Sequence, residues 1–298
     1  MAISQTVWPP ISAAKLHLAR RLLTAKGRAG EGAFLAEGPQ AVREALGCGA
    51  ARFVVVAEDR TPQAKSLAVD AALQGLPVYL ATDAQMAQVT DTVRGQGVVA
   101  VCRRLEVGLK DLEGKLFLLL DEVRDPGNVG TLVRTADAFG VDGVIATTGT
   151  AEVYAPKVVR ASVGSVFHLP VVQRVAFEDA VAWARERGHK LFGADAHGDP
   201  LIAGWTEPWR STVWAVGNEA HGMPNEHLAM LDATMSVPMW GKAESLNVAI
   251  AAAICLWESA RAQADGEPTP ERLEAQKLWR EIMDERTHSQ PLGEEPAP

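Results

Sequence analysis

The residues best suited to chemistry stand just beyond an apolar run. In "LFLLLDEVRDPGNVGTLVRTADAFG", residues 116–140, Asn128 lies within, and Arg134 beyond, a stretch whose Pro126, Gly127 and Gly130 permit a tight turn. A tight turn at the carboxyl end of a strand is where open parallel sheets hold ligands. At helical spacing Leu132, Val133, Ala136 and Phe139 share one face, and Thr131, Arg134, Thr135 and Ala138 share the other. Arg134 is therefore expected to point away from the sheet, above the turn. An arginine stays protonated in ordinary conditions, so it is a poor base unless its pKa falls, and orienting phosphate or stabilising charge is a role at least as open to it as direct deprotonation. A solvated arginine and an Asn128 that only caps the helix would satisfy the same spacing.

Two later segments end in loops of similar character. "VWAVGNEAHGMP" is a buried strand that stops at Gly217-Asn218-Glu219, with Gly222 beyond. Glycines there let a ligand approach the main chain, and equally make any turn. "VPMWGKAESLNVAIAAA" runs from Val237, Pro238 and Met239 through a polar loop to Ser245, Leu246 and Asn247, then into an almost uncharged helix expected over 245–262. A helix that is apolar all round must be buried on two sides, by the sheet and, economically, by a second subunit. Arg160, in "VVRASVGSVFHLPV", reads as a surface arginine beside a packing glycine. None of these loops is G-x-G-x-x-G, which argues against a nicotinamide dinucleotide site. Seven histidines are scattered without metal spacing, and Cys48, Cys102 and Cys255 lie too far apart in sequence to suggest zinc or a disulfide framework, so no metal is expected.

The elements that must position these loops alternate between strand and helix, which predicts an α/β fold with a mostly parallel sheet covered on both faces. Residues 1–104 read as a small α/β unit, 105–115 as a polar linker in which Leu105, Val107 and Leu109 could rest part of the chain against a surface, 116–264 as the main α/β series, and 265–298 as an acidic extension with a short helix from Thr269-Pro270 and a disordered end. "ISAAKLHLARRLLTAKGR" reads as one amphipathic helix with a basic outer face, and "VFHLPVV" as a strand. Charge is uneven: residues 1–52 carry seven Lys/Arg against three acids, a net of +4, although the whole chain is −8. Without a signal-peptide pattern or a long apolar run, a cytoplasmic location is expected.

Taken in order, "DPGNVGTLVRTADAFG", "VGNEAHGM" and "VPMWGKAESLNVAIAAA" resemble the three signature motifs of the SpoU family of RNA ribose 2′-O-methyltransferases, within the SPOUT superfamily. Residues 116–262 resemble the whole catalytic domain. Residues 11–103 are more loosely similar to the family's small substrate-binding domain, "FLAEGPQAVREAL" most clearly. The resemblance implies a sheet whose C-terminal part is tied in a deep trefoil knot, an exception to the rule against knots. It implies S-adenosylmethionine held in that knot and a homodimer. Matched position by position, the cofactor would lie at Gly217, Val237 and Leu246, with Met239 lining the pocket and Asn247 bracing the loops. Arg134 matches the catalytic arginine, and Asn128 and Glu219 would hold the site's shape. Arg160 would contact RNA phosphate. Lys15, Arg20, Arg21, Lys26 and Arg28 would supply RNA affinity from the N-terminal domain. The substrate implied is ribosomal RNA, with transfer RNA and a non-catalytic ribosome-assembly role as the alternatives.

Overall fold

The computed structural model describes residues 8–59, 61–90, 95–105, 107–200 and 211–263. The extension after 263, with its expected helix and disordered end, lies outside the described residues.

The N-terminal unit contains α1 (Ala13–Arg21), α2 (Ala25–Glu31), β1 (Ala33–Glu37), α3 (Pro39–Gly47), β2 (Ala51–Ala57), α4 (Pro62–Leu73), β3 (Val78–Ala81), α5 (Asp83–Met86) and β4 (Val98–Arg103). Its sheet has the order β1-β4-β2-β3, with β4 antiparallel to both neighbours and β2 parallel to β3. The single amphipathic helix expected at the start is two helices. Thr24 takes an extended conformation and its hydroxyl accepts the Gly27 amide, so the second helix starts afresh. The intervening Leu22 is fully buried.

The second unit continues with β5 (Leu116–Leu120), α6 (Pro126–Ala138), β6 (Gly143–Thr147), α7 (Pro156–Ala161), β7 (Val171–Val175), α8 (Phe177–Glu186), β8 (Lys190–Pro200), β9 (Thr212–Val216), α9 (Asn225–Leu228), β10 (Ala233–Ser236) and α10 (Val248–Gln263). The order β10-β8-β9-β5-β6-β7 is parallel throughout. All five residues of β5 are buried, as a strand covered on both faces requires. At the sheet's centre, Trp214 on β9 donates its indole N–H to Ser259 Oγ at 2.8 Å, which ties α10 to the sheet.

Two other expectations change. "VFHLPVV" is not one strand: Ser165–Phe167 form a 3-10 turn, and β7 starts only at Val171, after Pro170. The final helix starts at Val248 rather than Ser245, because Asn247 accepts the amides of Ala249 and Ile250. In the stretch read as a linker, the apolar residues do rest against a surface, as their positions allowed. Leu112 is fully buried, and Leu105, Val107 and Leu109 pack on the cores at either side.

A continuous seam joins the two units. The Phe34 ring of β1 lies 4.5 Å from that of Tyr154 and 5.5 Å from that of Phe167, centroid to centroid. Tyr154 donates its hydroxyl to the Leu105 carbonyl at 2.8 Å. Arg28, expected to face RNA, is only 4% exposed and forms a two-point pair with Glu152, at 3.0 and 2.6 Å, across this seam. A guanidinium used in this way is unavailable to phosphate.

Candidate active site

Three loops meet at the carboxyl ends of the parallel strands. The loop after β5 enters α6 through Asp125, whose Oδ1 accepts the Asn128 amide at 3.0 Å. Asp125 is thus the cap, and the reading of Asn128 as a simple capping residue fails. The Asn128 side chain is left to join loops. Its Nδ2 donates to Glu219 Oε1 at 3.0 Å, and its Oδ1 accepts Asn247 Nδ2 at 3.0 Å. Residues from motifs 91 and 119 positions away in sequence are thereby linked in one hydrogen-bonded chain.

Glu219 is the hub. It also accepts the amides of Arg124 at 3.2 Å and Asp125 at 3.1 Å. Partial desolvation disfavours its charged form, but the bonds from Asn128 and the backbone amides outweigh this and hold the carboxyl below its ordinary range. Asp125 is held low chiefly by the Asn128 amide, with Lys157 contributing. The loop itself is folded by Asn218, which exchanges main-chain bonds with Gly222 and donates Nδ2 to the Glu122 carbonyl at 3.0 Å. A Cβ on Gly217 would lie 2.5 Å from the carbonyl carbon of Gly222. The loop's own folding therefore requires glycine there.

Arg134 emerges from the outer face of α6, as its helical spacing predicts. It is exposed, opposite the buried Leu132, Val133 and Ala136, and its side chain forms no hydrogen bond or ion pair with another described residue. Gly130 brings α7 close, since a Cβ there would sit 2.5 Å from Ala161 Cβ. Arg160 on α7 stands 3.7 Å from Glu37 of β1, so it also faces the seam. Val237 and Met239 are half-buried after β10, whereas Leu246 is exposed. Of the N-terminal bases, Arg20 and Lys26 are exposed, Arg21 pairs with Glu31 at 2.7 Å, and Lys15 lies over the Phe53 ring at 4.7 Å.

The amino-acid sequence matches the model of the SpoU rRNA Methylase family over residues 115–257 and that of the MRM3-like substrate binding domain over residues 14–100. It is 36% identical over 241 residues to the 23S rRNA (guanosine(2553)-2′-O)-methyltransferase RlmP of Bacillus subtilis, covering 80% of this chain and 92% of that one. The chain belongs to the SpoU family. Among solved structures, this SpoU-family chain resembles the AdoMet-bound rRNA methyltransferase from Sinorhizobium meliloti, with TM-score 0.74 and 31% identity over 85% of this chain and 96% of that one. It also resembles the SpoU methyltransferase AviRb from Streptomyces viridochromogenes in complex with AdoMet, with TM-score 0.75 and 29% identity over 86% of this chain and all of the other.

One polar cluster escaped sequence reasoning. Asp121, the residue after β5, is buried and accepts from Thr147 Oγ1 at 3.2 Å, and its Oδ2 lies 2.7 Å from His227 Nδ1. His227 stacks on Phe177 with centroids 4.0 Å apart. An acid directly following an apolar run is visible in sequence, but its partner on α9 is not. Among the described residues no group of three His, Cys, Asp or Glu side chains could hold a metal ion.

Proposed function

We propose that this SpoU-family protein transfers the methyl group of S-adenosylmethionine to a ribose 2′-hydroxyl of ribosomal RNA. The observation that carries the reading is the Glu219–Asn128–Asn247 chain, which joins all three motif loops at the start of the helix that also bears Arg134, exposed and without a partner among the described residues. Relatives named as 23S rRNA 2′-O-methyltransferases, and structural neighbours described as AdoMet-bound, support the substrate and the cofactor.

The residues present suit that cofactor. From Pro238 to Leu246 the main chain makes no backbone hydrogen bond to other described residues, which leaves donors and acceptors for an adenine. Gly217, Val237, Met239 and Leu246 supply the backbone approach and apolar contact, and Asn247 braces the loop. When bound, the cofactor supplies a methyl that is already electrophilic. The protein's task is then to place the ribose oxygen in line, and positioning alone contributes several kcal/mol. Arg134 orients the neighbouring phosphate and stabilises the negative charge that develops on the 2′-oxygen. Glu219 and Asn128 keep the loops in register without touching the reacting atoms.

RNA is gripped by the face of α1 and α2 through Lys15, Arg20, Arg21 and Lys26, with Arg28 and Arg160 engaged in the seam. The exposed Leu246, Ile250 and Trp257 along the start and outer face of α10 are covered by a second copy, giving a homodimer. The knotted chain path belongs to this reading, supported by the likeness to solved SpoU-family structures. The test is transfer of labelled methyl from S-adenosylmethionine to ribosomal RNA, followed by alkaline hydrolysis, which a 2′-O-methyl blocks at one linkage. A protein that binds both substrates and transfers no methyl to any ribosomal RNA would instead be an assembly factor.

A further inference from the structure

The turn between α7 and β7 holds backbone that its sequence resists. Val163 has φ +53° and Gly164 φ +98°. A β-branched residue in the left-handed region is an outlier, and such strain persists only where the surroundings over-determine it. The same turn presents His168, whose Nδ1 lies 2.7 Å from Asp137 Oδ2 and whose Nε2 lies 3.2 Å from Glu44 Oε2. Asp137 is on α6, three residues after Arg134, and Glu44 is on α3 of the N-terminal unit. Gly164 makes room for this contact, because a Cβ there would sit 2.5 Å from Glu44 Cγ.

Asp137 and Glu44 are the charged groups that face the ring. Gln40 bonds Glu44 from the same helix, Arg43 bonds Gln40, and Ser165 bonds Asp137. An imidazole can donate from both nitrogens only when protonated. The bond to Asp137, opposed by partial burial and reinforced by Glu44, raises His168 to about 9.

We propose that His168 is a positioning residue, its imidazolium holding the N-terminal unit in one registration against the helix that bears Arg134. The aromatic seam and the Arg28–Glu152 pair attach the unit, and His168 ties it to α6 itself. The RNA grip on α1 and α2 is then a fixed distance from Arg134, so the enzyme selects its ribose by the shape of a structured RNA. That consequence rests on the methyl transfer proposed above; the registration does not. Because the value is raised in the folded protein, the contribution is complete below the ordinary 6.5 and is lost as pH rises through about 9.

The experiment measures the distance between labels on exposed Cys48 and on a second cysteine, Glu186→Cys on α8, in full-length protein diluted with unlabelled chain. Cys102 and Cys255 are buried, and desolvation pushes both thiols well above their ordinary value, so they escape labelling. The wild type should give one narrow distance at neutral pH that broadens above about pH 9. His168→Ala should be broad at both, and His168→Arg, charged throughout, narrow at both. In parallel, His168→Ala should raise the KM for ribosomal RNA about threefold, the scale of one solvent-screened ion pair. Cofactor affinity should not change, and His168→Arg should keep the wild-type KM into the alkaline range. A distance distribution that His168→Ala leaves unchanged overturns the proposal, as does alkaline broadening that His168→Arg does not prevent. A wild type that keeps the narrow distance but transfers no methyl refutes the proposed function and leaves the registration standing.

Discussion

The rim of the parallel sheet and the seam between the two units use the same side chains in opposite ways. At the rim, Glu219 is satisfied by neutral donors, the Asn128 amide and two backbone N–H groups, and Arg134 remains exposed and uncommitted. At the seam, Glu152 takes Nε and Nη2 of Arg28 while the Leu22 carbonyl takes Nη1, and Glu37 stands against Arg160. Guanidinium and carboxylate chemistry is identical in both places. What differs is position: even at the rim Arg124 is paired with Glu122 at 2.6 Å, whereas Arg134, on the outer face of α6, meets no carboxylate among the described residues and is left for a ligand.

That contrast is most easily broken at Arg28. Arg28→Met should cost about 3 kcal/mol of stability in urea unfolding, because it leaves Glu152 without its partner in a largely buried place. Adding Glu152→Leu should recover much of the loss. RNA affinity of the folded variant should match wild type, whereas a drop in it would return Arg28 to the phosphate-binding set.

A smaller effect is expected at the rim. Glu219→Gln puts an amide N–H against donors and should cost about 1 kcal/mol, at the low end for a bond to a charged group because the site is solvated. The pH dependence has a definite sign. Since Glu219 is held below its ordinary value, its stabilisation is complete above that value and is lost as pH falls through the lower, folded one. Unfolding curves of wild type and variant should therefore converge in acid; a constant gap at all pH values would show that charge is not the cause.

The smallest change in stability belongs to the exposed bases proposed to grip RNA. Lys26→Ala should leave unfolding unaltered while weakening RNA binding and reducing the salt slope by about 1, as for the loss of one phosphate contact. An unchanged slope would move the RNA footprint off α2.

The difference between rim and seam also marks what the amino-acid sequence makes legible. Strand β5 and the two faces of α6 follow from local pattern, because burial of Leu116 to Leu120 and of Leu132, Val133 and Ala136 depends on periodicity alone. The loops that carry Asn128, Glu219 and Asn247 are recognisable as motifs. Their hydrogen-bonded order is not, since Asp125 and Asn128 are equally good caps until the fold brings Glu219 to one of them. The seam is least legible. Arg28 sits among exposed bases in a basic stretch, and its partner lies 124 residues away. Nothing local distinguishes it from Lys26. His168 is similarly hidden, because both of its carboxylates come from other helices. Competing local chemistry accounts for the misread elements, as at Thr24, where a side-chain cap divides one amphipathic pattern into two helices.

The central claim, that the rim leaves Arg134 free in order to act on the ribose, is tested most directly by single-turnover methyl transfer to ribosomal RNA with Arg134→Ala. The exposed outer face of α6 tolerates the change, so cofactor affinity and oligomeric state should match wild type. The rate should fall by about 10²-fold or more, the scale of a lost positioned group, and Arg134→Lys should recover little of it, because a point charge does not replace a planar fork. An Arg134→Ala protein that transfers methyl at the wild-type rate would contradict the account.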